Sequence, residues 1–159
     1  ERIGHLVSSL DAGIALKRRI IEDLRPSTLT HLGLKAAIEV LCREFAGRSE
    51  TLVETDLADL RPDEASALTI YRLVQESLTN VAKYAQARRV SVCLRGDRSG
   101  IELTVTDDGV GFDPARIPRR SRGLAGMRFR VESSGGSLEL HSSPGAGVKV
   151  QARLPLQAG

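Results

Sequence analysis

The stretch "IELTVTDDGVGF", residues Ile101–Phe112, decides how the rest of the chain can fold. Apolar and polar residues alternate along its first half, which is the pattern of a half-buried strand. The strand then ends on two adjacent carboxylates, Asp107 and Asp108, followed by Gly109 and Gly111. Taken alone, this stretch leaves four alternatives open: an ordinary turn, a surface acidic patch, a calcium loop and the floor of a ligand pocket.

The neighbouring segments predict the elements around this strand. Strand patterns occupy residues 51–57, 88–96 and 101–108, and a final hairpin covers residues 137–156 with its turn at "SPGAG". Helical patterns occupy residues 30–49, 62–87 and 123–136. This order predicts the α+β class, as a two-layer α/β sandwich in which three helices cover a mixed, mostly antiparallel sheet. Cys42 and Cys93 lie in apolar periodic segments and are expected to be small core residues.

The first 26 residues read as a separate helix of coiled-coil type. Its apolar residues alternate in steps of four and three, with Lys17 at the one polar position: Ile3, Val7, Leu10, Ile14, Ile21 and Leu24. We expect this stripe to need a partner helix; the alternative is an amphipathic helix packed on its own domain. Pro26 ends the pattern. The predicted domains are therefore residues 1–26 and 27–159, in a chain that opens in mid-pattern like a fragment of a longer protein.

Composition limits the partners. The net charge is +3 and the isoelectric point about 9.2, which favours anionic ligands. Aromatic residues make up only 3%, so stacking platforms for nucleic acid are scarce. No apolar run reaches the length of a membrane span.

The long helix at 62–87 carries a polar stripe of Arg72, Glu76, Asn80 and Lys83. Asn80 could offer a neutral oxygen to Mg²⁺, and Glu76 could hold or activate a water. Lys83 could meet a phosphate oxygen. A solvated polar face is the plainer alternative.

Glycines recur at two further places where a nucleotide could be held. The stretch "RGLAGM" supplies Gly123 and Gly126 just before a predicted helix, whose free N–H groups would form an anion site. The last hairpin turn supplies Gly145 and Gly147. Each glycine pair alone is more often an ordinary turn, but the four elements together favour a ligand pocket. The acids of "DDGVGF" lack the alternating spacing of a calcium loop, so calcium is disfavoured.

Together, "QESLTNVAKYA", "DDGVGF" and "RGLAGM" resemble the N box and the two glycine boxes of the Bergerat ATP-binding fold, shared by gyrase, Hsp90, histidine kinases and MutL. The resemblance covers residues 29–156. It is closest to sensor histidine kinases that work with NarL/FixJ-type response regulators, because "LRPSTLTHLGLKAAI" follows a heptad helix as in that subfamily. Residues 1–26 would then be the second helix of the dimerisation and phosphotransfer hairpin.

The resemblance implies ATP and Mg²⁺ as ligands and assigns roles to individual residues. Asn80 would ligate Mg²⁺, and Glu76 would position water or the metal as the second catalytic residue. The expected nucleotide contacts are Asn80, Lys83, Asp107, Gly109, Gly111, Gly123, Leu124, Gly126, Met127 and Gly147. Of these, Asp107 would accept from the adenine amino group, and the helix after Gly126 would offer its N-terminus to the phosphates.

Some positions depart from the family pattern. Tyr84 stands where this subfamily usually has a histidine, and Val148 stands where a threonine often follows the last glycines. The short loop at residues 113–122 is basic, through Arg119, Arg120 and Arg122. None of His5, His31 and His141 is followed by an acid, so we expect all three to be structural or surface residues and the phosphoacceptor to lie outside this chain.

The implied function is transfer of the ATP γ-phosphoryl group to a histidine outside the chain, then relay to a NarL/FixJ-type response regulator. The resemblance further implies a homodimer through the helical hairpin, no direct nucleic-acid binding, no membrane contact by these residues and a cytoplasmic location, with a parent protein that could be membrane-anchored. Two alternatives stay open: an anti-sigma-type serine kinase, and a non-catalytic nucleotide-sensing or dimerisation module.

Overall fold

A computed structural model of the protein describes residues 2–116 and 122–156, with the backbone alone at 2, 18, 19 and 21–24. Its helices are α1 (Arg2–Leu24), α2 (Ser27–Leu32), α3 (Leu34–Arg48), α4 (Glu64–Asn80) and α5 (Arg122–Ser133). A π-helical turn, Val81–Ala85, follows α4, and a 3₁₀ turn covers Pro114–Arg116. The strands are β1 (Leu52–Leu57), β2 (Arg89–Asp97), β3 (Gly100–Asp107), β4 (Ser137–Ser142) and β5 (Val148–Leu154).

The five strands form one mixed sheet in the order β1-β2-β3-β5-β4. Strand β1 pairs with β2 in parallel, and the other pairs are antiparallel. Alternate side chains of the central strands, such as Val92 and Leu103, are buried against α3, α4 and α5, which contribute Ile38, Leu73 and Met127 to the core. The predicted two-layer α+β sandwich is confirmed.

The two cysteines differ, contrary to the expectation that both belong to the core. Cys42 is buried in the core on α3, whereas Cys93 is only half-buried. Val92 and Leu94 take the inward positions of β2, so the period of two places Cys93 on the opposite face of the sheet, beside Thr104 of β3. Both thiols are free.

Helix α4 runs through the middle of the helical layer and positions the site described below. Asp63 caps its N-terminus, accepting a hydrogen bond from the Ser66 N–H at 3.0 Å. The sequence predicted one helix to about Ala87, but regular α-helix ends at Asn80. The π turn after it ends at Gln86, which adopts a left-handed conformation with φ of 50°. Such turns are frequent at functional sites.

Two other expectations about the helices were wrong. The single helix expected over residues 30–49 is broken at Gly33, whose φ of 82° suits glycine and separates α2 from α3. The glycines of "RGLAGM" were expected just before a helix, whereas α5 spans Arg122–Ser133, in agreement with the start of the helical pattern at 123–136. Gly123 and Gly126 therefore lie inside the first turns of α5 rather than before it.

Helix α1 presents its apolar stripe to solvent. Ile3, Val7, Leu10 and Ile14 are each 50% exposed or more, so the alternative of a helix packed on its own domain is wrong. The side chains of Ile21 and Leu24 lie outside the described residues. Within residues 2–116 and 122–156, no helix combines the length and apolar character that crossing a bilayer requires.

Candidate functional site

A cavity of about 770 Å³ opens between α4 with its π turn, the end of β3, α5 and β5. Its volume suits a ligand of small-molecule size. The residues that line it are Glu76, Ser77, Asn80, Val81, Lys83, Tyr84, Ala85, Val105, Asp107, Gly111, Phe112, Arg122, Gly123, Leu124, Arg130, Val148 and Val150.

Asp107 provides a buried carboxylate at the β3 end of this cavity. Only 8% of the residue is exposed, and its Oδ1 accepts a hydrogen bond from the Gly109 N–H at 2.8 Å. Burial raises the pKa of the Asp107 carboxyl, although the backbone amides of Gly109 and Val148 oppose that shift. The surrounding wall includes Val105 and Val150. A carboxylate in such apolar surroundings favours a ligand that donates a hydrogen bond to it.

Asp108, the next residue, serves the fold instead. It is exposed and does not line the cavity, and its Oδ1 accepts from the backbone N–H groups of Arg88 and Arg89 at 2.8 and 2.9 Å. The hydrogen bond from Arg89 is the largest cause that lowers the pKa of the Asp108 carboxyl. The paired carboxylates of the sequence thus separate into one that faces a ligand and one that fastens β2 to the end of β3.

The turn after Asp107 is fastened on both sides by backbone contacts. The Val110 N–H donates to the Ala85 carbonyl at 2.7 Å, and the Gly145 N–H donates to the Val110 carbonyl at 2.7 Å. A side chain at Gly109 would overlap the Ala85 backbone, and one at Gly147 would overlap the Asp107 carbonyl. These glycines therefore allow backbone segments to pack together, and neither Gly109 nor Gly147 lines the cavity.

The opposite end of the cavity carries charge. Glu76 and Asn80 project from α4, Lys83 from the π turn and Arg122 from the start of α5. Within the described part of the chain, none of these four side chains makes a hydrogen bond or an ion pair. Gly123 and Leu124, in the first described turn of α5, line the cavity next to Arg122. This end can therefore bind an anion or a metal-bound anion.

Gly123 brings two oxygen donors together at this end. A Cβ at Gly123 would overlap the Glu76 carboxylate and would lie 3.8 Å from the Asn80 Oδ1. Among residues 2–116 and 122–156, no group of three or more His, Cys, Asp or Glu side chains could hold a metal alone. A carboxylate and an amide oxygen side by side nevertheless fit Mg²⁺, which keeps several waters and takes few protein ligands.

The structure brings together most of the residues that the sequence analysis selected. Glu76, Asn80, Lys83, Asp107, Gly111, Gly123 and Leu124 line the cavity, whereas Gly109, Gly126, Met127 and Gly147 do not. Met127, on the inner face of α5, is fully buried in the core. Gly126 lies one helical turn from Arg130, whose guanidinium passes beside it.

Several lining residues were not selected from the sequence. Strand alternation places Val105 on the same face as Asp107, a signal that was available. Ser77 lies one turn before Asn80 and has the one buried side-chain oxygen or nitrogen without a partner among the described residues. Phe112 ends the motif "DDGVGF" but was not selected as a contact, and no sequence pattern pointed to Arg130.

The positions that depart from the family pattern lie at the rim or on the surface. Tyr84 is 70% exposed at the mouth of the cavity, and Val148 is half-buried in its wall. His5, His31 and His141 are all exposed, which confirms the surface assignment. Arg119 and Arg120 of the basic loop lie outside the described residues.

Comparisons with known proteins identify the family of the chain. A family profile described as "Histidine kinase-, DNA gyrase B-, and HSP90-like ATPase" matches residues 65–158. The chain is 37% identical over 158 residues to the sensor histidine kinase MctS of Rhizobium johnstonii, covering 96% of this chain and 34% of that protein. It is 32% identical over 139 residues to the sensor histidine kinase LiaS of Bacillus subtilis, covering 87% of this chain and 39% of that protein.

Solved structures show the same fold. The histidine kinase domain of the blue-light activated histidine kinase from Erythrobacter litoralis superposes with a TM-score of 0.62 at 26% identity, over 79% of this chain and 60% of that one. The Acinetobacter baumannii histidine kinase AdeS superposes with a TM-score of 0.66 over 96% of this chain and 85% of that one, at 17% identity, which shows the fold alone. The chain spans about a third of the length of the curated relatives it matches.

Proposed function

Because the chain belongs to the family of histidine kinase-, DNA gyrase B- and HSP90-like ATPases, we propose that its cavity binds Mg-ATP for transfer of the γ-phosphoryl group to a histidine. The acceptor would lie in the parent protein outside these residues, since none of the three histidines here precedes an acid. The observation that carries the proposal is the cavity itself, with a buried carboxylate at one end and unpaired charged groups at the other.

The base end of the cavity consists of Asp107 and its apolar surroundings, Val105, Val148 and Val150. Asp107 would accept a hydrogen bond from the adenine amino group through the carboxylate oxygen that Gly109 does not use. The valines would pack on the faces of the base. In the orientation proposed for adenine, guanine presents a carbonyl oxygen in place of that amino group, and the Asp107 carboxylate would repel it.

The phosphate end consists of Glu76, Asn80, Lys83, Arg122 and the start of α5 at Gly123. Asn80 would hold Mg²⁺, and Lys83 and Arg122 would neutralise phosphate oxygens. Glu76 would hold a water on the metal or the terminal phosphate. The bound Mg²⁺ supplies neutralisation of the charge on the phosphates, so the catalytic contribution of this chain is positioning and electrostatic stabilisation.

The remainder of the chain supports a place in a dimeric signalling kinase. The exposed stripe of α1 suits a partner helix, which we propose is the hairpin of the parent homodimer. We further propose residues 1–26 and 27–159 as the two domains, a NarL/FixJ-type response regulator as the phosphoryl acceptor that follows, and the cytoplasm, where ATP is available, as the location. The compatible 32% identity to LiaS and the "LRP" junction at Pro26 support this subfamily.

Calorimetric titration with ATP tests the proposal, with and without Mg²⁺ and with GTP as the control nucleotide. We expect ATP binding that Mg²⁺ tightens and little binding of GTP. No ATP binding under either condition would contradict the proposal and favour a module that kept the fold without the ligand. Equal binding of ATP and GTP would contradict the role of Asp107.

A further inference from the structure

Helix α5 contributes a third cation, Arg130, to the lining of the cavity. We propose that Arg130 binds the phosphate chain of the nucleotide, as a residue that acts together with Lys83 and Arg122. This inference rests on the proposed function and adds to it a contact two turns inside the helix. The motif "RGLAGM", on which the sequence analysis relied for this region, ends three residues earlier.

The first observation is the direction of the Arg130 side chain. Its Nη1 lies 3.6 Å, and its Nη2 3.9 Å, from the position that a Cβ of Gly126 would take. The side chain therefore runs back along the helix toward the N-terminus, which is the usual direction for long helical side chains. Arg130 lines the cavity as a result, although its own Cα lies two turns from the start of α5.

The second observation is that the Arg130 guanidinium has no protein partner among the described residues. Arg128, on the same helix, is bound differently: its Nη1 donates to the Leu138 carbonyl at 3.2 Å and lies 3.9 Å from the Glu132 carboxylate. A guanidinium has five donors in a planar fork that matches phosphate oxygens. Among the lining residues, Lys83, Arg122 and this guanidinium outnumber the two carboxylates, which leaves an excess of positive charge for an anion to neutralise.

The position of Arg130 selects the phosphate chain over the base. It shares α5 with Gly123, which borders Glu76 and Asn80, whereas Asp107 lies at the end of β3. A nucleotide whose amino group reaches Asp107 can extend its phosphates toward these α5 residues. Loss of the guanidinium should therefore weaken the binding of nucleotides in proportion to their phosphate charge and leave the binding of adenosine unchanged.

The test compares Arg130→Gln with the matched control Arg128→Gln, by calorimetry with ATP, ADP and adenosine. We expect Arg130→Gln to lower ATP affinity about 10- to 100-fold, as for loss of a charge-assisted hydrogen bond, and to leave adenosine affinity unchanged. Arg130→Lys keeps the charge without the planar fork of donors. It should lose less ATP affinity than Arg130→Gln and should keep the salt dependence of ATP binding that Arg130→Gln reduces. Arg128→Gln should lower the melting temperature and leave ATP affinity at the wild-type value.

The outcomes separate this inference from the proposed function. If the wild-type chain binds ATP and Arg130→Gln binds it equally well, the inference is wrong and the proposed function stands. Equal losses of ATP and adenosine affinity would also overturn it, because they would indicate a general disturbance of the cavity. If the wild-type chain binds no ATP, the proposed function fails, and the inference fails with it.

Discussion

The two ends of the cavity are built in different ways. At the base end, the protein's own backbone already holds the structure: Gly109 donates to Asp107, and Val110 is fastened to both Ala85 and Gly145. At the phosphate end, the polar side chains, such as Asn80 and Lys83, make no bond to the described residues. The base end is thus complete on folding, whereas the described polar side chains at the phosphate end remain available to a charged ligand.

This difference predicts that the same small change has opposite consequences at the two ends. A methyl group added where backbone packs on backbone must distort the fold. A methyl group added where flexible charged side chains meet can be accommodated, but it moves those side chains away from their ligand. Glycines at each end allow the comparison to be tested, because each has a matched glycine elsewhere in open space.

The largest effect on stability is expected at the base end, from Gly147→Ala. The new Cβ would overlap the Asp107 carbonyl, and the backbone φ of 68° is itself unfavourable for alanine. We expect the free energy of unfolding to fall by about 1–3 kcal/mol, measured by urea denaturation. Gly145→Ala is the control, because its φ of 80° is similar and nothing lies within 4 Å of its Cβ position.

Equal losses of stability in Gly147→Ala and Gly145→Ala would mean that backbone conformation alone matters. The close approach of the two turns would then contribute nothing, and the contrast between the ends would lose its basis at this end.

A smaller effect, and one on binding, is expected at the phosphate end from Gly123→Ala. The new Cβ would overlap the Glu76 carboxylate, the far end of a flexible side chain that can move aside. We expect ATP affinity in Mg²⁺ to fall about tenfold, roughly 1.4 kcal/mol, because Glu76 and Asn80 no longer meet. The melting temperature should not decrease, since alanine favours the helix more than glycine does.

The control for this variant is Gly47→Ala in α3, which has nothing within 4 Å of the new methyl group. It should raise the melting temperature without changing the affinity for ATP. If Gly123→Ala instead lowers the melting temperature and leaves the Mg²⁺-dependent ATP affinity unchanged, the phosphate end is as rigid as the base end.

The sequence predicted the features that depend on neighbouring residues and missed some that depend on where side chains lie in three dimensions. The sheet, the buried side of α4 and the pocket residues Asp107 and Asn80 follow from periodicity and from motifs in which neighbouring residues act together. The glycine at position 33 was an available signal for the break there, whereas nothing in the helical pattern indicated the π turn after Asn80. Arg130 was missed because its role depends on where a long side chain runs in space and on what it fails to contact. The alternation of side chains along β2 would have placed Cys93 correctly, on the face opposite to Val92 and Leu94.

The most direct test of the ATP-binding account compares two neighbouring residues, in Asp107→Asn and Asp108→Asn, by calorimetry with Mg-ATP and by thermal unfolding. We predict that Asp107→Asn loses at least about tenfold in ATP affinity, because a charged acceptor for the adenine amino group is removed, while its melting temperature does not fall. Asp108→Asn should bind ATP like the wild type and melt at a lower temperature, because its carboxylate accepts two backbone N–H groups. Wild-type affinity in Asp107→Asn, or an equal loss in both variants, would contradict the assignment of the cavity to adenine.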